Sequence, residues 1–148
     1  MTAQLVTVRP ADLTDSSTIY AFLCDLENQP LDRSAFNAVF TRNLATPTVY
    51  YRVAEQAGEV IGFVSCHLQY LLHHTGLVGE IQELYVRPGY RNRHIGRQLL
   101  ASLEAELAPV GLASLEVTTN QQRTDAIRFY ESVAFRPTHV KLVKQCPA

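Results

Sequence analysis

Two glutamates in an otherwise apolar stretch are the residues whose type and spacing first suggest chemistry. Glu80 and Glu83 fall within residues 79–86, where the pattern is typical of a β-strand. A carboxylate in such a strand is a candidate general base, able to take a proton from an attacking nucleophile. Regular alternation puts Glu80 on the same face as Gln82 and Leu84, and Glu83 on the other face. We expect Glu80 to be the base, with Glu83 as the second candidate.

The turn after this strand is the second feature with chemical meaning, because it combines arginines with the start of a helix. It carries four cations within eleven residues: Arg87, Arg91, Arg93 and Arg97. The first turn of a helix has unpartnered backbone N–H groups that bind anions, and arginine suits the geometry of phosphate. Cations there oppose the helix dipole, so their placement favours a phosphate site over a solvated basic turn. The sequence has neither a P-loop nor a dinucleotide-binding glycine motif.

The same turn resembles a known cofactor loop. Residues 91–96, Arg-Asn-Arg-His-Ile-Gly, are similar to the Q/R-x-x-G-x-G/A loop with which the GNAT superfamily of N-acetyltransferases binds the pyrophosphate of acetyl-CoA. His94 stands where that family usually has its first glycine, and histidine is enriched among non-glycine residues with positive φ. Downstream, Asn120 and residues 126–135 are similar to the family's N…A…FY…GF segment, with Ala134 in place of glycine.

The resemblance implies which residues hold the cofactor and what several of them do. The implied cofactor-binding residues are Leu84, Tyr85, Val86, Arg91, Asn92, Arg93, His94, Ile95, Gly96, Arg97, Asn120, Ala126, Phe129 and Tyr130. Asn120 would contact the pantetheine arm, the backbone N–H of Val86 would polarise the thioester carbonyl, and Tyr130 would be the general acid for the departing thiolate. For Phe129 we favour an ordinary core position. A β-bulge, common in this family, would bring both glutamates toward the cleft.

Three local segments narrow the resemblance to the aminoalkylphosphonate N-acetyltransferases, which acetylate small amines that carry a phosphonate. These segments are residues 67–74, 79–84 and 119–130. The implied substrate-binding residues are Tyr70, His73, His74 and Gln82. Because that family is described as metal-assisted, His73 and His74 are also candidate ligands of a divalent metal. Adjacent histidines can share one ion only in an irregular loop, and the alternative is a polar rim of the cleft.

Other functions stay open at this point. Within the same chemistry, an aminoglycoside or protein N-terminal acetyltransferase is the alternative, and the acids Asp25, Glu27 and Asp32 would suit an aminoglycoside site. A non-catalytic acyl-CoA-binding regulator is the competing hypothesis from another class. Glu80 and Tyr130 argue against the regulator, because a binding module needs neither a base nor an acid.

Composition and charge favour one domain over residues 1–148 and exclude other classes of protein. The chain has 148 residues, a net charge of -1 and 47% hydrophobic residues, which argues against a nucleic-acid partner. Three widely spaced cysteines favour a reducing, cytoplasmic location. Residues 60–79 carry no charged side chain, but histidines and glycines interrupt them, so we expect a strand and a loop rather than a membrane span. The expected partner is a small-molecule amine, and a homodimer is left open.

The elements that must position these residues follow from hydrophobic periodicity and turn signals. We predict a strand ending at Pro10, a helix begun by Thr14 or Asp15, a helix capped by Asp32, and a hairpin over 48–70 with its turn at 56–59. These are followed by a strand over 77–86, a helix from Ile95 to Leu107, a strand over 114–119, a helix over 124–132 and a closing strand region over 135–143 that is broken by Pro137. In the second helix, the side expected to face the core carries Phe36, Val39, Phe40 and Leu44.

The order of these elements predicts the fold class. A strand, a helix and a second strand over 77–119 form a right-handed β–α–β unit, so the two strands should be parallel, whereas the hairpin before them is antiparallel. The expected class is α/β (α+β) with the GNAT fold, a mixed and mostly antiparallel twisted sheet with a central parallel pair and helices on both faces.

Overall fold

A computed structural model describes residues 5–147 of the chain. Within this range the chain forms β1 (Val6–Pro10), α1 (Ser16–Glu27), α2 (Arg33–Leu44), β2 (Val49–Gln56), β3 (Glu59–Leu71), β4 (Gly76–Val86), α3 (Ile95–Leu107), β5 (Ser114–Val117) and α4 (Thr124–Ser132). The predicted elements up to α4 are therefore present in the predicted order, with bounds that differ by one or two residues.

The strands form one sheet in the order β1-β2-β3-β4-β5. Neighbouring strands are antiparallel except β4 and β5, which are parallel because α3 carries the chain back across the sheet between them. This confirms the mixed, mostly antiparallel sheet. The parallel pair leaves β5 at one edge of the sheet that the structure describes.

Two hydrophobic cores flank the sheet, one on each face. On one face, α1 and α2 pack on the sheet through Ile19, Phe22 and Phe40, all of them buried. On the other face, α3 presents its predicted apolar stripe to the sheet, with Leu99 and Leu103 fully buried. The four-residue spacing in α3 therefore fixed which side of that helix is covered.

One residue of the predicted apolar stripe of α2 does not reach the core. Val39 is 57% exposed, whereas Phe40 is buried and Phe36 and Leu44 are half-buried against it. This helix contacts the sheet through aromatic rings. Phe36 stacks on Phe40, and Phe40 stacks on Tyr51 of β2, each pair with ring centroids 5.6 Å apart. The prediction for Val39 was wrong because rings this large fill the contact without it.

The starts of the first two helices follow different local rules. At α2, the Asp32 carboxylate accepts a hydrogen bond from the amide of Ala35 at 2.8 Å, as predicted. At α1, Asp15 occupies the N-cap position, one of the two that the sequence predicted, but its side chain makes no capping hydrogen bond, and Asp12 caps a 3-10 turn that precedes the helix. Asp15 instead has its carboxylate buried and bound to Arg9, with contacts of 2.8 and 2.9 Å.

The charge-free run 60–79 is a strand, a turn and the start of the next strand. It covers most of β3, a 3-10 turn over Leu72–His74 and the first residues of β4, as the sequence predicted. The turn before it uses Ala57 and Gly58, both at positive φ, which is typical of a two-residue hairpin turn. None of the helices in residues 5–147 has the length and apolar character needed to cross a membrane.

The predicted closing strand over 135–143 was wrong. Phe135 packs against the core on the α3 side, but residues 135–147 form no helix or strand. Val140 and Leu142 are 86% and 90% exposed. An extended segment is stable only when its backbone groups pair with a neighbouring strand, and within the described residues this one has no such neighbour.

Candidate active site

A β-bulge in β4 decides where the two glutamates lie. In the pairing of β3 with β4, Ser65 stands opposite Glu83, but the next residue of β3, Cys66, stands opposite Ile81. Gln82 is therefore an extra residue without a partner in β3, which is the definition of a bulge. The bulge that the resemblance implied is present.

The bulge puts both carboxylates on one face of the sheet. Glu83 is paired with Ser65 and Glu80 with His67. Ser65 and His67 are two residues apart in a strand and so share a face, and directly opposed residues also share a face. Regular alternation had placed the glutamates on opposite faces, and that placement is corrected by the extra residue.

Each glutamate has a different set of contacts. Glu83 accepts a hydrogen bond from the hydroxyl of fully buried Ser65, whose oxygen in turn accepts the Glu83 amide at 3.0 Å. Glu80 accepts a hydrogen bond from the side-chain amide of Gln82 at 2.5 Å and stands opposite Glu116 of β5. No arginine binds Glu83 among the described residues, so its carboxylate is fixed by a neutral hydroxyl.

The end of β4 offers backbone amides that no strand uses. Pairing between β4 and β5 stops at Ile81 and Val117. Farther along β4, the amide of Arg87 donates to the carbonyl of Ile61 in β3 at 2.8 Å. Because successive amides in a strand point to opposite sides, the amide of Val86 points away from β3, to the side where β5 has ended. This is the position at which the resemblance implied a donor to the thioester carbonyl.

The turn from β4 into α3 contains two non-glycine residues in the left-handed backbone region that glycine favours. His94 has φ 62° and ψ 18°, and Asn92 has φ 63°, both in the left-handed region. The first intrahelical bond runs from the amide of Gln98 to the carbonyl of His94 at 3.0 Å. The three amides before Gln98, those of residues 95–97, have no acceptor in the preceding turn of helix and are available to an anion.

Gly96 has a packing role as well as a place in this turn. A Cβ atom built on Gly96 would lie 3.1 Å from Cζ of Phe129 in α4, closer than real Cβ atoms comfortably approach. The missing side chain therefore lets the Phe129 ring pack against the first turn of α3. Phe129 is half-buried there, which agrees with an ordinary core position. Through this contact α4 and the turn before α3 hold each other in place.

Two arginines of the turn are engaged within the protein. Arg87 forms an ion pair with Glu59 at the start of β3. Arg91 donates from Nε to the carbonyl of Val86 at 2.9 Å, and its guanidinium lies 5.6 Å from the ring centre of Tyr85. These two side chains therefore hold the strand end and the turn together.

The other two arginines are free of carboxylates. Arg93 lies over the ring of Tyr90 at 5.6 Å, and Arg97 is exposed, with neither in an ion pair within residues 5–147. Both flank the free amides at the start of α3. They are the cations of this turn that remain available for phosphate.

Tyr130 presents an unengaged hydroxyl from a buried ring. Its side chain is 8% exposed and packs edge-on against Phe129 and Phe135. No described residue accepts or donates a hydrogen bond at its oxygen, and that oxygen is not sealed from solvent. Burial raises the pKa of Tyr130 to about 12, with a smaller opposing effect from Arg123. The phenol is therefore protonated at neutral pH and able to donate a proton.

The side chain of Tyr85 faces away from α3. Its ring stacks on Phe22 of α1 with centroids 4.7 Å apart, and its hydroxyl donates to the carboxylate of Asp25. Burial, followed by the contact with Asp25, raises the pKa of Tyr85 to about 12. Only its backbone thus lies at the open end of β4.

Sequence reasoning missed two hydrogen bonds that join α1 to the turn before α4 and to β4. Arg123, in the turn before α4, donates to the carbonyl of Leu26 at the end of α1 at 2.7 Å. Tyr85 and Asp25 form a second tie between β4 and α1. The bonded residues are 97 and 60 positions apart in the chain, so no local pattern could have paired them.

The two adjacent histidines lie in a 3-10 turn at the end of β3. Their ring centres are 4.4 Å apart, and Nε2 of His74 lies 3.3 Å from a carboxylate oxygen of Glu116. The irregular loop that a shared ion would need is therefore present. However, residues 5–147 contain no group of three or more histidine, cysteine or acidic side chains placed to hold a metal.

Three other predicted site residues lie in different surroundings. Tyr70 is 83% exposed, and its place in β3 puts it on the face opposite His67 and the glutamates. Asn120 is exposed, and its side-chain oxygen accepts the amide of Gln122 at 2.9 Å, which shapes the turn after β5. Ala126 is half-buried beside the α3 core.

Comparison with known proteins gives a family match and several similar proteins. Residues 17–135 match the acetyltransferase (GNAT) family. Aminoalkylphosphonate N-acetyltransferase of Salmonella typhimurium is 42% identical over 137 residues, which cover 93% of this chain and 89% of that protein. The N-alpha-acetyltransferase RimI of Mycobacterium tuberculosis is 33% identical over 99 residues, 67% of this chain and 60% of its own length.

Solved structures agree on the fold. The aminoglycoside N-acetyltransferase AAC(6')-Iy, in complex with CoA, superimposes with a TM-score of 0.85 at 17% identity, covering 99% of this chain and 98% of its own. A transcriptional regulator from Bacillus halodurans gives a TM-score of 0.87 at 23% identity, covering 96% of this chain and all of its own. At these identities the likeness concerns the architecture alone.

Proposed function

Because this chain belongs to the acetyltransferase (GNAT) family and is an acetyl-CoA-dependent N-acetyltransferase, we propose that its acceptor is a small anionic amine of the aminoalkylphosphonate class. The observation that carries the proposed chemistry is the bulge at Gln82, which sets Glu80 and Glu83 on one face beside the open end of β4. Glu80 as the base and the free amide of Val86 then lie beside the part of β4 along which β5 does not extend.

The cofactor fits the free backbone groups of this region. The left-handed residues Asn92 and His94 turn the chain so that the first amides of α3 face outward, and Arg93 and Arg97 add positive charge. When bound, acetyl-CoA supplies the activated acetyl group as a thioester. The chain holds its pyrophosphate at the start of α3, and we assign the pantetheine arm to the gap between β4 and β5.

Deprotonation of the amine falls to Glu80 in this proposal. An alkylammonium ion has a pKa of roughly 10 and must lose a proton before its nitrogen can attack a carbonyl. Glu80 is half-exposed, so it can accept that proton directly or through water. Glu83 is bound to the Ser65 hydroxyl and is the second candidate.

Val86 and Tyr130 would meet the other two requirements, a donor to the carbonyl oxygen and a proton for the thiolate. The amide of Val86 points to the side where β5 has ended and can donate to the carbonyl oxygen as negative charge develops on it. Tyr130 holds its proton at neutral pH and can pass it to the sulfur as the carbon–sulfur bond breaks.

Two observations support an anionic acceptor: the name of a similar protein and the pair of histidines at the end of β3. The 42% identical relative from Salmonella typhimurium is named for aminoalkylphosphonates. His73 and His74 lie together at the end of β3, where protonated imidazoles can donate to phosphonate oxygens. We assign no role to a metal, because the described histidines and acids do not converge as a ligand set.

The acidic residues near α1 give little support to an aminoglycoside acceptor. Asp25 accepts the hydroxyl of Tyr85 and lies 4.0 Å from Arg91, while Asp32 caps α2. Asp25 and Asp32, which are already bound within the protein, offer little to a polycationic substrate. A protein N-terminal acceptor remains the alternative that the 33% identical relative supports.

An amine panel tests the proposal. Release of free thiol from acetyl-CoA should be fastest with an aminoalkylphosphonate, slower with an uncharged alkylamine of the same length, and absent with an aminoglycoside or an alanine-starting peptide. A preference for the peptide or the aminoglycoside would contradict the proposed acceptor.

Two matched variants test the base. Glu80→Gln should lower kcat by about 100-fold or more because it removes the proton acceptor. Glu83→Gln should cost less, and Glu104→Gln, on an exposed turn of α3, should have no effect. A larger loss in Glu83→Gln than in Glu80→Gln would reverse their roles.

A further inference from the structure

Arg123, in the turn before α4, is a half-buried cation without a carboxylate partner. One of its terminal nitrogens donates to the carbonyl of Leu26 at 2.7 Å, and it forms no ion pair with any other residue of the range 5–147. A guanidinium has five N–H donors, so this one bond leaves most of them free. A positive charge that is partly withdrawn from water without a counter-ion is costly unless it binds an anion.

The acidic residues near this bond do not neutralise Arg123. Asp25 accepts the hydroxyl of Tyr85 instead. Glu27 and Asp125 are exposed, and neither forms an ion pair within the described part of the chain. The free donors of Arg123 are therefore available to an anion that comes from outside the protein.

The bond between Arg123 and Leu26 joins the two faces of the sheet. Leu26 packs with the core on the α1 side, whereas α4 packs through Ala126 and Tyr130 with the core on the α3 side. Pairing of β5 with β4 has already stopped at Val117, so β4 is the outer strand here. The side chain of Arg123 therefore passes the uncovered edge of β4, beside the gap to which we assign the pantetheine arm.

This position is on the side from which the amine has to approach. Phe63 packs with the α1-side core, and Ser65, two residues later, shares its face, so Glu83 opposite Ser65 also lies on the α1 side. Both candidate bases are thus on the face toward which Arg123 reaches. The charge of Arg123 also opposes the rise in the pKa of Tyr130, so the guanidinium lies within electrostatic reach of the proposed acid.

The bond to Leu26 also holds the guanidinium in one place. The carbonyl of Leu26 belongs to the last turn of α1, which ends at the left-handed residue Asn28. A cation is favoured at this end of a helix by the helix dipole. A side chain that is already held loses less freedom when it binds a ligand, and arginine can donate two parallel hydrogen bonds to a phosphonate.

Other cations near the cleft are less well placed to bind the acceptor. Arg87 forms an ion pair with Glu59, and Arg91 donates to the carbonyl of Val86. The histidine pair at the end of β3 precedes the first residue of β4, whereas the gap lies at the far end of that strand. Arg123 combines a place beside the gap with unused donors.

We propose that Arg123 binds the anionic group of the acceptor and thereby selects small anionic amines over uncharged ones, an inference that rests on the proposed function. In an aminoalkylphosphonate, a short carbon chain separates the amine from the phosphonate. A cation beside the gap can therefore hold the phosphonate while the nitrogen reaches the thioester. Binding of this unreactive group positions the amine for attack.

Steady-state kinetics with two acceptors test the proposal. Arg123→Gln should lower kcat/KM for an aminoalkylphosphonate by about 10- to 100-fold, chiefly through KM, because a charge-assisted hydrogen bond is lost. The value for an uncharged alkylamine of the same length should not change. Arg123→Lys should recover part of the loss, since it keeps the charge without the paired donors.

The matched control is Arg128→Gln, at an exposed arginine of α4. It removes the same charge five residues farther along the chain and should leave both acceptors unaffected. An equal loss for both acceptors in Arg123→Gln, with a lowered melting temperature, would mean that Arg123 serves only to hold α1, and would overturn the proposal. Unchanged kinetics with both acceptors would overturn it as well.

Binding without turnover gives a second readout. Ethylphosphonate, which lacks the amine, should bind to the unmodified protein with CoA present, and Arg123→Gln should weaken that binding without changing the affinity for CoA, both measured by calorimetry. Equal binding of ethylphosphonate to both proteins would contradict the assignment.

The kinetic comparison also separates this inference from the proposed function. If the unmodified enzyme shows no preference for the aminoalkylphosphonate over the uncharged amine, the proposed acceptor is wrong and the role of Arg123 falls with it. If the enzyme shows that preference and Arg123→Gln retains it, the acceptor stands and only the role of Arg123 is overturned.

Discussion

At the scale of single residues, the properties of the site come from burial as much as from residue type. Tyr130 and Cys66 both have a pKa raised to about 12, in each case chiefly by burial. For Cys66 this keeps the thiol protonated and unreactive, so the chain offers no thiolate there. For Tyr130 it keeps the hydroxyl protonated, and no other described group forms a hydrogen bond with that hydroxyl.

The protonated hydroxyl of Tyr130 leads to a prediction for the variant Tyr130→Phe. The variant should lower kcat by about 100-fold while leaving the dissociation constant for CoA nearly unchanged, because only the proton donor is lost. Since the pKa is about 12, the ratio of the two rates should stay constant from pH 7 to roughly pH 10. Steady-state kinetics and CoA titration across this range check it.

The matched control is Tyr50→Phe, at a half-buried tyrosine of β2 whose hydroxyl makes no hydrogen bond within the described chain. Its kinetics should match those of the unmodified protein. Equal rates for Tyr130→Phe and the unmodified enzyme would remove Tyr130 from the mechanism.

At the scale of elements, irregular backbone positions set the geometry of the candidate site, both a bulge within a strand and left-handed residues in turns. The extra residue Gln82 realigns Glu80 and Glu83, and the left-handed residues before α3 aim its first amides. The end of α4 is built in the same way, since Ala134 has φ 77° and the amide of Phe135 reaches back to the carbonyl of Tyr130. A left-handed residue here closes the helix that carries Phe129 and Tyr130.

Ala134→Gly should therefore stabilise the protein. An alanine in the left-handed region is strained by about 1 kcal/mol, and glycine adopts this conformation freely. The free energy of unfolding, measured by urea titration, should rise by roughly 0.5 to 1 kcal/mol after allowance for the greater freedom of glycine in the unfolded chain.

The same substitution at an exposed position inside α3 gives the opposite sign. Ala101→Gly should lower the free energy of unfolding by about 1 kcal/mol, because glycine is a poor helix former. A loss of stability in both variants would show that Ala134 is not strained.

At the scale of the whole molecule, a part-buried ion cluster joins β1, the turn before α1 and β2. Arg9 of β1 donates to both oxygens of Asp15, which precedes α1, and to Glu55 of β2 at 2.6 Å. The hydrogen bonds from Arg9 hold the pKa of Asp15 below its usual range. The cluster fixes this edge of the sheet to the start of α1.

Stability should consequently depend on pH through Asp15. Its contribution is fully present above the ordinary aspartate pKa of about 3.9 and is lost as the pH falls through the lower value of the folded state. Asp15→Asn should lower the free energy of unfolding by about 2 kcal/mol at neutral pH, and this difference should shrink below roughly pH 4. Urea titrations at several pH values check it.

The control for this prediction is Glu104→Gln, on an exposed turn of α3. It should leave the pH dependence of unfolding unchanged. A constant difference between Asp15→Asn and the unmodified protein at all pH values would mean that the carboxylate does not titrate with folding.

The sequence alone determined the features that depend on neighbouring residues. The four-residue spacing of Ile95, Leu99 and Leu103 specified the buried side of α3, because helix geometry brings those positions together whatever surrounds them. The turn around His94 was recognisable for the same reason, since its backbone shape and free amides are local properties.

Tertiary structure decided the features that depend on residues distant in the sequence. The bulge moved Glu80 to the face of Glu83 because register is a relation between two strands. Arg123 met Leu26 only because the fold brings together positions 97 residues apart. The segment around Leu142 has the alternation of a strand but remains exposed, because alternation describes a face and a strand forms only where another backbone stands beside it to receive its hydrogen bonds.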